Sequence, residues 1–68
     1  MDRVFEALAS TARRKILAYL NEGELTAGEI ASRFDFSKPA LSGHLRTLED
    51  AGLIAREKRG QFVYFRMV

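Results

Sequence analysis

Lys38, Ser42 and Arg46 recur at four-residue spacing, which places an ammonium, a hydroxyl and a guanidinium on one stripe of a helix. Such a row suits an acceptor-rich, anionic partner. Lys and Arg donate to guanine acceptors or phosphate oxygens, and Ser contacts either a base or a phosphate. Pro39, Gly43 and Asp50 lie beside the stripe, and the small side chains at Ala40 and Gly43 permit close approach. A helical glycine costs about 1 kcal/mol against alanine, so Gly43 is either tolerated surface or a clearance requirement. His44 falls at the edge of this face, where a neutral imidazole can bond across the core boundary or donate to a phosphate. A second basic cluster, Arg56, Lys58 and Arg59, leads into Gly60 and Gln61, with Arg66 further along. It reads either as a hairpin tip that contacts phosphate or a minor groove, or as solvated charge that keeps the hairpin soluble.

Chemistry of other kinds finds little support. Ser42 and His44, two residues apart on a helix, point in different directions and cannot act as nucleophile and base. The nine acidic residues are scattered through caps, turns and helices without convergence. Cysteine is absent and histidine single, which removes disulfides, thiolates and the usual paired metal spacings. No glycine-rich nucleotide fingerprint occurs, so the expectation is no enzyme, no cofactor and no metal. A net charge of +2 is too small to establish a nucleic-acid partner by itself; the distribution must do so.

These residues need a scaffold, and 68 of them make one domain, residues 1–68, with a small core. A composition 47% hydrophobic and 29% charged argues against disorder. Chains of this size bury only about 60% of their extended surface, so a partner subunit is expected to matter. No apolar run approaches a membrane span and no signal-peptide core follows Met1, which makes the cytoplasm the expected location.

Apolar spacing at Val4, Phe5 and Leu8, with Asp2 as cap, predicts a first helix over residues 2–9. Ile16, Leu17 and Leu20 predict a second over 12–21. Arg13, Arg14 and Lys15 at its start oppose the helix dipole and call for a phosphate, a pairing with Asp2 and Glu6, or simple solvation. Thr26 and Glu29 form a capping box for a third helix over 27–33. After the short Asp35–Phe36 connection, Ser37 caps a fourth with Pro39 in its first turn, Leu41, Leu45 and Leu48 as its core seam and Gly52 as its stop. Helices three and four meet through a tight turn, the arrangement of a helix-turn-helix. Residues 53–58 and 62–67 then read as two strands around a turn at Arg59–Gly60; both faces of the second strand are partly apolar, and alternation leaves its core face unassigned.

The runs Phe5–Ala9, Thr11–Leu17, Leu25–Ala31, Ser37–Leu45, Leu48–Ile54 and Arg59–Phe65 together resemble the winged-helix repressors of the ArsR/SmtB family, most of all its compact autorepressors. The resemblance covers nearly the whole chain. It implies an α+β winged helix-turn-helix, four helices followed by a two-stranded β-hairpin wing. It also implies a dimeric bacterial repressor that sets helix four into successive major grooves of double-stranded DNA at a pseudopalindromic operator. The DNA-contact candidates are Ser37, Lys38, Pro39, Ser42, Gly43, His44 and Arg46 on or beside helix four, with Arg56, Lys58, Arg59 and Gln61 on the wing. The resemblance moves His44 toward a DNA role. Gly43 departs from the larger polar residue, often histidine, of relatives, so one contact is missing. Metal-sensing relatives carry cysteines on helix three or histidine and carboxylate ligands on a final helix, and Ala27-Gly28-Glu29 offers no such set. Relatives also usually continue into a C-terminal dimerisation helix. With the present sequence stopping at Val68, homodimer contacts are expected from Val4, Phe5 and Leu8, or from residues beyond it. The alternative function is a non-catalytic winged-helix protein-interaction module.

Overall fold

Each of the four helices begins on a side-chain oxygen that accepts an otherwise orphaned backbone N–H. In the computed structural model, which describes residues 2–68, Asp2 accepts from Phe5 N (2.9 Å), Ser10 from Arg13 N (3.2 Å), Thr26 from Glu29 N (3.1 Å) and Ser37 from Ala40 N (3.3 Å). A cap of this kind is worth about 1 kcal/mol. Thr26 completes the expected capping box, since Glu29 Oε1 accepts from Thr26 N at 2.8 Å. That backbone N–H, and then the threonine hydroxyl, hold the Glu29 carboxyl below the usual carboxylate range.

The elements so started are α1 (Arg3–Leu8), α2 (Thr11–Asn21), α3 (Ala27–Ala31) and α4 (Lys38–Asp50), with strands β1 (Leu25–Thr26), β2 (Ile54–Arg59) and β3 (Phe62–Met67). Helix α3 is shorter than the predicted 27–33. Arg33 N bonds to Ile30 O in a tightened last turn, and the Ser32 hydroxyl donates to Glu29 O.

Helix α4 stops as expected at Gly52, which takes φ +76°. Gly52 N bonds to Glu49 O (2.9 Å) and Leu53 N to Leu48 O (3.1 Å), the paired bonds of a Schellman ending. This turn sends the chain from the leucine seam directly into β2. The wing turn is Gly60–Gln61, one residue later than predicted, because Arg59 pairs with Phe62. Gly60 at φ +61° and a following residue without positive φ fit a type II′ hairpin.

The two-stranded hairpin wing forms as expected from β2 and β3, and a further short strand joins it. The sheet has three antiparallel strands in the order β1-β3-β2, with Leu25 opposite Phe65 and Thr26 opposite Tyr64. The added strand has only two residues, too few for alternation to register, and its second residue doubles as the cap of α3. The register also resolves the face of β3. Val63, Phe65 and Met67 pair on the side of Ile54 and pack on the core, whereas Phe62, Tyr64 and Arg66 lie on the outer side.

Ala7, Ile16, Leu20, Ile30, Leu41, Leu45, Leu48, Ile54 and Phe65 form one buried cluster, to which every helix, β2 and β3 contribute. The seam Leu41, Leu45 and Leu48 is buried throughout. Rotation of α4 is therefore fixed: its opposite face must look outward. Four helices followed by a β-hairpin, with α3 and α4 joined by the six residues 32–37, form the winged helix-turn-helix that the sequence led us to expect.

Candidate nucleic-acid interface

Along the outward face of α4, Lys38, Pro39, Ala40, Ser42, Gly43 and Arg46 are all exposed. Lys38 and Arg46 have no carboxylate within ion-pair distance among the described residues. Ser37 precedes them; its Oγ accepts from Ala40 N, which leaves the hydroxyl proton available. A Cβ placed on Gly43 would meet nothing within 4 Å. No clearance is therefore required by the chain itself at that point, where the Thr47 hydroxyl donates to Gly43 O at 3.0 Å.

His44 sits half-buried at the rim of this face. Arg13 Nη1 lies 3.2 Å from its Nδ1, and the Phe36 ring packs against the imidazole with centroids 5.1 Å apart. Phe36 in turn stacks on Phe34 at 4.7 Å, and Phe34 meets Tyr19 edge-on at 5.7 Å. Burial, and next the Arg13 charge, push the imidazole pKa below its ordinary value. His44 is thus a neutral donor and acceptor of fixed orientation.

The wing cations divide in two. Lys58 is exposed and free of ion pairs among the described residues, as are the polar groups of Gln61. Arg56 and Arg59 are held in ion pairs. Arg56 forms a two-pronged pair with Glu49 of α4 (2.8 and 2.6 Å) and lies over the Phe65 ring at 5.0 Å. Arg59 is held by both oxygens of Glu24 (2.7 and 2.9 Å) and by Glu57 (3.1 Å), with its guanidinium 4.5 Å from the Tyr64 ring centroid. Hydrogen bonds to Glu24 and then Glu57 raise the Arg59 pKa further, and hydrogen bonding to Arg59 lowers both carboxylates. Arg59 fastens the hairpin tip to the turn before β1, and it covers Tyr64 on the outer face.

At the basic start of α2, Lys15 is exposed, whereas Arg13 and Arg14 have a use that was not foreseen. Helix α1 has no basic residue in its last turn. Arg13 supplies one from the next helix, donating through Nη2 to Glu6 O (2.7 Å) and Nε to Ala7 O (2.8 Å), while Arg14 Nη1 donates to Leu8 O (2.6 Å). Cations that oppose the dipole of α2 thereby satisfy the orphan carbonyls of α1. Neither the Asp2 nor the Glu6 carboxylate takes part. The available signal was α1 lacking a C-terminal cation with arginines five residues on.

Val4, Phe5 and Leu8 remain partly or largely open, at 41%, 69% and 37% exposure, whereas Ala7 of the same helix is buried. Among the described residues no three His, Cys, Asp or Glu side chains gather to hold a metal ion. No helix is long and apolar enough to cross a membrane.

Residues 10–56 match the profile of the bacterial regulatory proteins, arsR family. The transcriptional repressor SdpR of Bacillus subtilis is 45% identical over 67 residues, spanning 98% of this chain and 74% of its own. A crystal structure of a possible transcriptional regulator for arsenical resistance superimposes with TM-score 0.90 at 38% identity, over 100% of this chain and 70% of that one. The solved HlyU of Vibrio cholerae gives TM-score 0.89 at 37% identity, over 96% of this chain and 71% of that one. Against the full sequence of HlyU, a transcriptional activator, the present chain spans 59%.

Proposed function

This chain belongs to the arsR family of bacterial regulatory proteins, and from that premise we propose that it is a transcriptional repressor binding double-stranded DNA as a homodimer at a pseudopalindromic operator. Residues 1–68 act as a single DNA-binding domain without a catalytic step, in the cytoplasm. One observation carries the reading: α4 buries Leu41, Leu45 and Leu48 while the donors of Lys38, Ser42 and Arg46 stand together on its exposed face. A helix so mounted fits the major groove, where it reads base edges.

Ser37 and Lys38 at the start of α4 approach phosphate, with Pro39 and Gly43 keeping the surface low. His44 donates at the rim. Lys58 and Gln61 extend the footprint onto the neighbouring backbone or minor groove. Arg56 and Arg59 brace the wing on α4 and the turn before β1, and serve DNA binding by holding Lys58 in place. Val4, Phe5 and Leu8 supply the self-association surface. Two-fold pairing sets the recognition helices about 34–36 Å apart, or a multiple of it. SdpR and HlyU bear opposite regulatory signs, so repression here follows from operator position relative to the promoter rather than from the fold.

The test is selection of bound duplexes from a random library, with the mass of the complex measured on the same sample. Enrichment of an inverted repeat by a species carrying two chains is expected. Failure to bind any duplex across salt concentrations, together with saturable capture of one defined protein partner, would replace the reading with a protein-interaction module.

A further inference from the structure

We infer that Arg13 is a positioning residue for DNA binding, tying the C-terminus of α1 to His44 of α4 so that the imidazole presents its Nε2–H outward. The inference rests on the reading of His44 as a donor to DNA.

The donor logic follows from the groups themselves. A guanidinium has only N–H donors and no acceptor, so a hydrogen bond from Arg13 Nη1 to His44 Nδ1 at 3.2 Å requires a lone pair on Nδ1. The neutral ring must then carry its proton on Nε2. That atom has no hydrogen-bond partner within the described chain, yet no polar atom of a non-exposed side chain is both buried and unpartnered. Nε2 therefore reaches solvent.

Arg13 is itself immobilised. Its Nε and Nη2 are fixed on the carbonyls of Ala7 and Glu6, which sets the guanidinium plane and so the directions of the two Nη1 hydrogens, and Nη1 meets His44 Nδ1. Phe36 packs against the ring as well. Arg13 is the charged side chain acting on the imidazole, and no carboxylate is paired with either group among the described residues. A shift of α1, the helix bearing Val4, Phe5 and Leu8, is thus felt at the ring that faces DNA. Self-association and DNA contact share one guanidinium.

Nitrogen-15 NMR of the ring in the free protein reads the joint without DNA. The wild type should show one neutral tautomer, protonated at Nε2, titrating below the ordinary value of about 6.5. Arg13→Met should mix the tautomers and move the midpoint upward. For DNA, His44→Asn keeps an acceptor for Arg13 at the Nδ1 position, but its shorter amide does not reach the Nε2 position, and it should weaken specific binding roughly tenfold. Arg13→Met should do the same, and the double variant should lose about as much as either alone rather than about a hundredfold.

An Nδ1-protonated ring, unchanged tautomers in Arg13→Met, undiminished binding by His44→Asn or fully multiplicative losses would each overturn the inference. Should Arg13→Met fail to fold, the wild-type tautomer and the His44→Asn affinity still decide it. Failure of the wild type to bind any duplex refutes DNA binding itself, and the DNA-free tautomer distinguishes that result from failure of the joint.

Discussion

Cations that are free in the structure should behave differently toward DNA from those already clamped. Lys38, Arg46 and Lys58 have no carboxylate partner among the described residues, whereas Arg56 is paired with Glu49 and Arg59 with Glu24 and Glu57. Each phosphate neutralised by a protein cation contributes about 0.9 to the slope of log affinity against log salt. Raising salt from about 50 to about 200 mM then costs about 3.5-fold per contact, or about twelvefold for the two copies in a dimer. Replacing Lys58 with Ala should flatten the slope by about 1.8 per dimer. If Arg46 and Lys38 meet phosphates, their alanine variants should do likewise; a base-reading Arg46 instead narrows the gap between specific and random duplex by roughly 1 to 3 kcal/mol. Removing a clamped arginine alone would change the net charge, so the comparison uses the charge-neutral pairs Arg56→Gln with Glu49→Gln and Arg59→Gln with Glu24→Gln. Fluorescence anisotropy titrations over four salt concentrations measure each slope. Both pairs should leave it unchanged. A flattening by the Arg59→Gln, Glu24→Gln pair as large as that of Lys58→Ala would refute the division of the wing into working and bracing cations.

Other expectations concern stability, pH and assembly. Leu48→Ala, at a fully buried position of the α4 seam, should cost about 2–5 kcal/mol in urea unfolding, enough to unfold much of so small a domain. Gly52→Ala should cost about 1–2 kcal/mol because an alanine is strained at φ +76° though nothing lies within 4 Å of its Cβ; a neutral effect would contradict the Schellman ending. His44 is held below its ordinary pKa, so the unfolded chain takes up the proton first on acidification. Its contribution is complete above about pH 6.5 and lost as pH falls through the lower folded midpoint, and the loss in urea midpoint between about pH 7 and 5.5 should shrink in His44→Asn. Phe5→Glu, on the most exposed part of α1, should shift sedimentation toward monomer while leaving the helical circular dichroism intact.

Where local rules act, the sequence was readable. Asp2, Thr26 and Ser37 cap the helices they were expected to cap, the leucines of α4 face the core, and Gly52 ends that helix. Each depends on residues within four of one another. β1 escaped because two residues carry no period and Thr26 was already explained as a cap. The wing cations were recognisable by type, but Glu24 lies 35 residues from Arg59, and only the fold brings them to 2.7 Å. Arg13 and His44 are 31 residues apart and meet because α1, α2 and α4 converge, a proximity that no local pattern encodes. Local patterns thus supplied α4 and its outward face, while the partners of its rim side chains came from tertiary structure.

Backbone amide shifts of the isotopically labelled chain, followed as a selected duplex is added, test the placement of DNA on α4 most directly. The largest changes should fall on residues 37–46 and at Lys58 and Gln61, with little change at Tyr64 and Arg66 on the outer sheet face. Changes centred on that outer face, with α4 unaffected, would contradict the account.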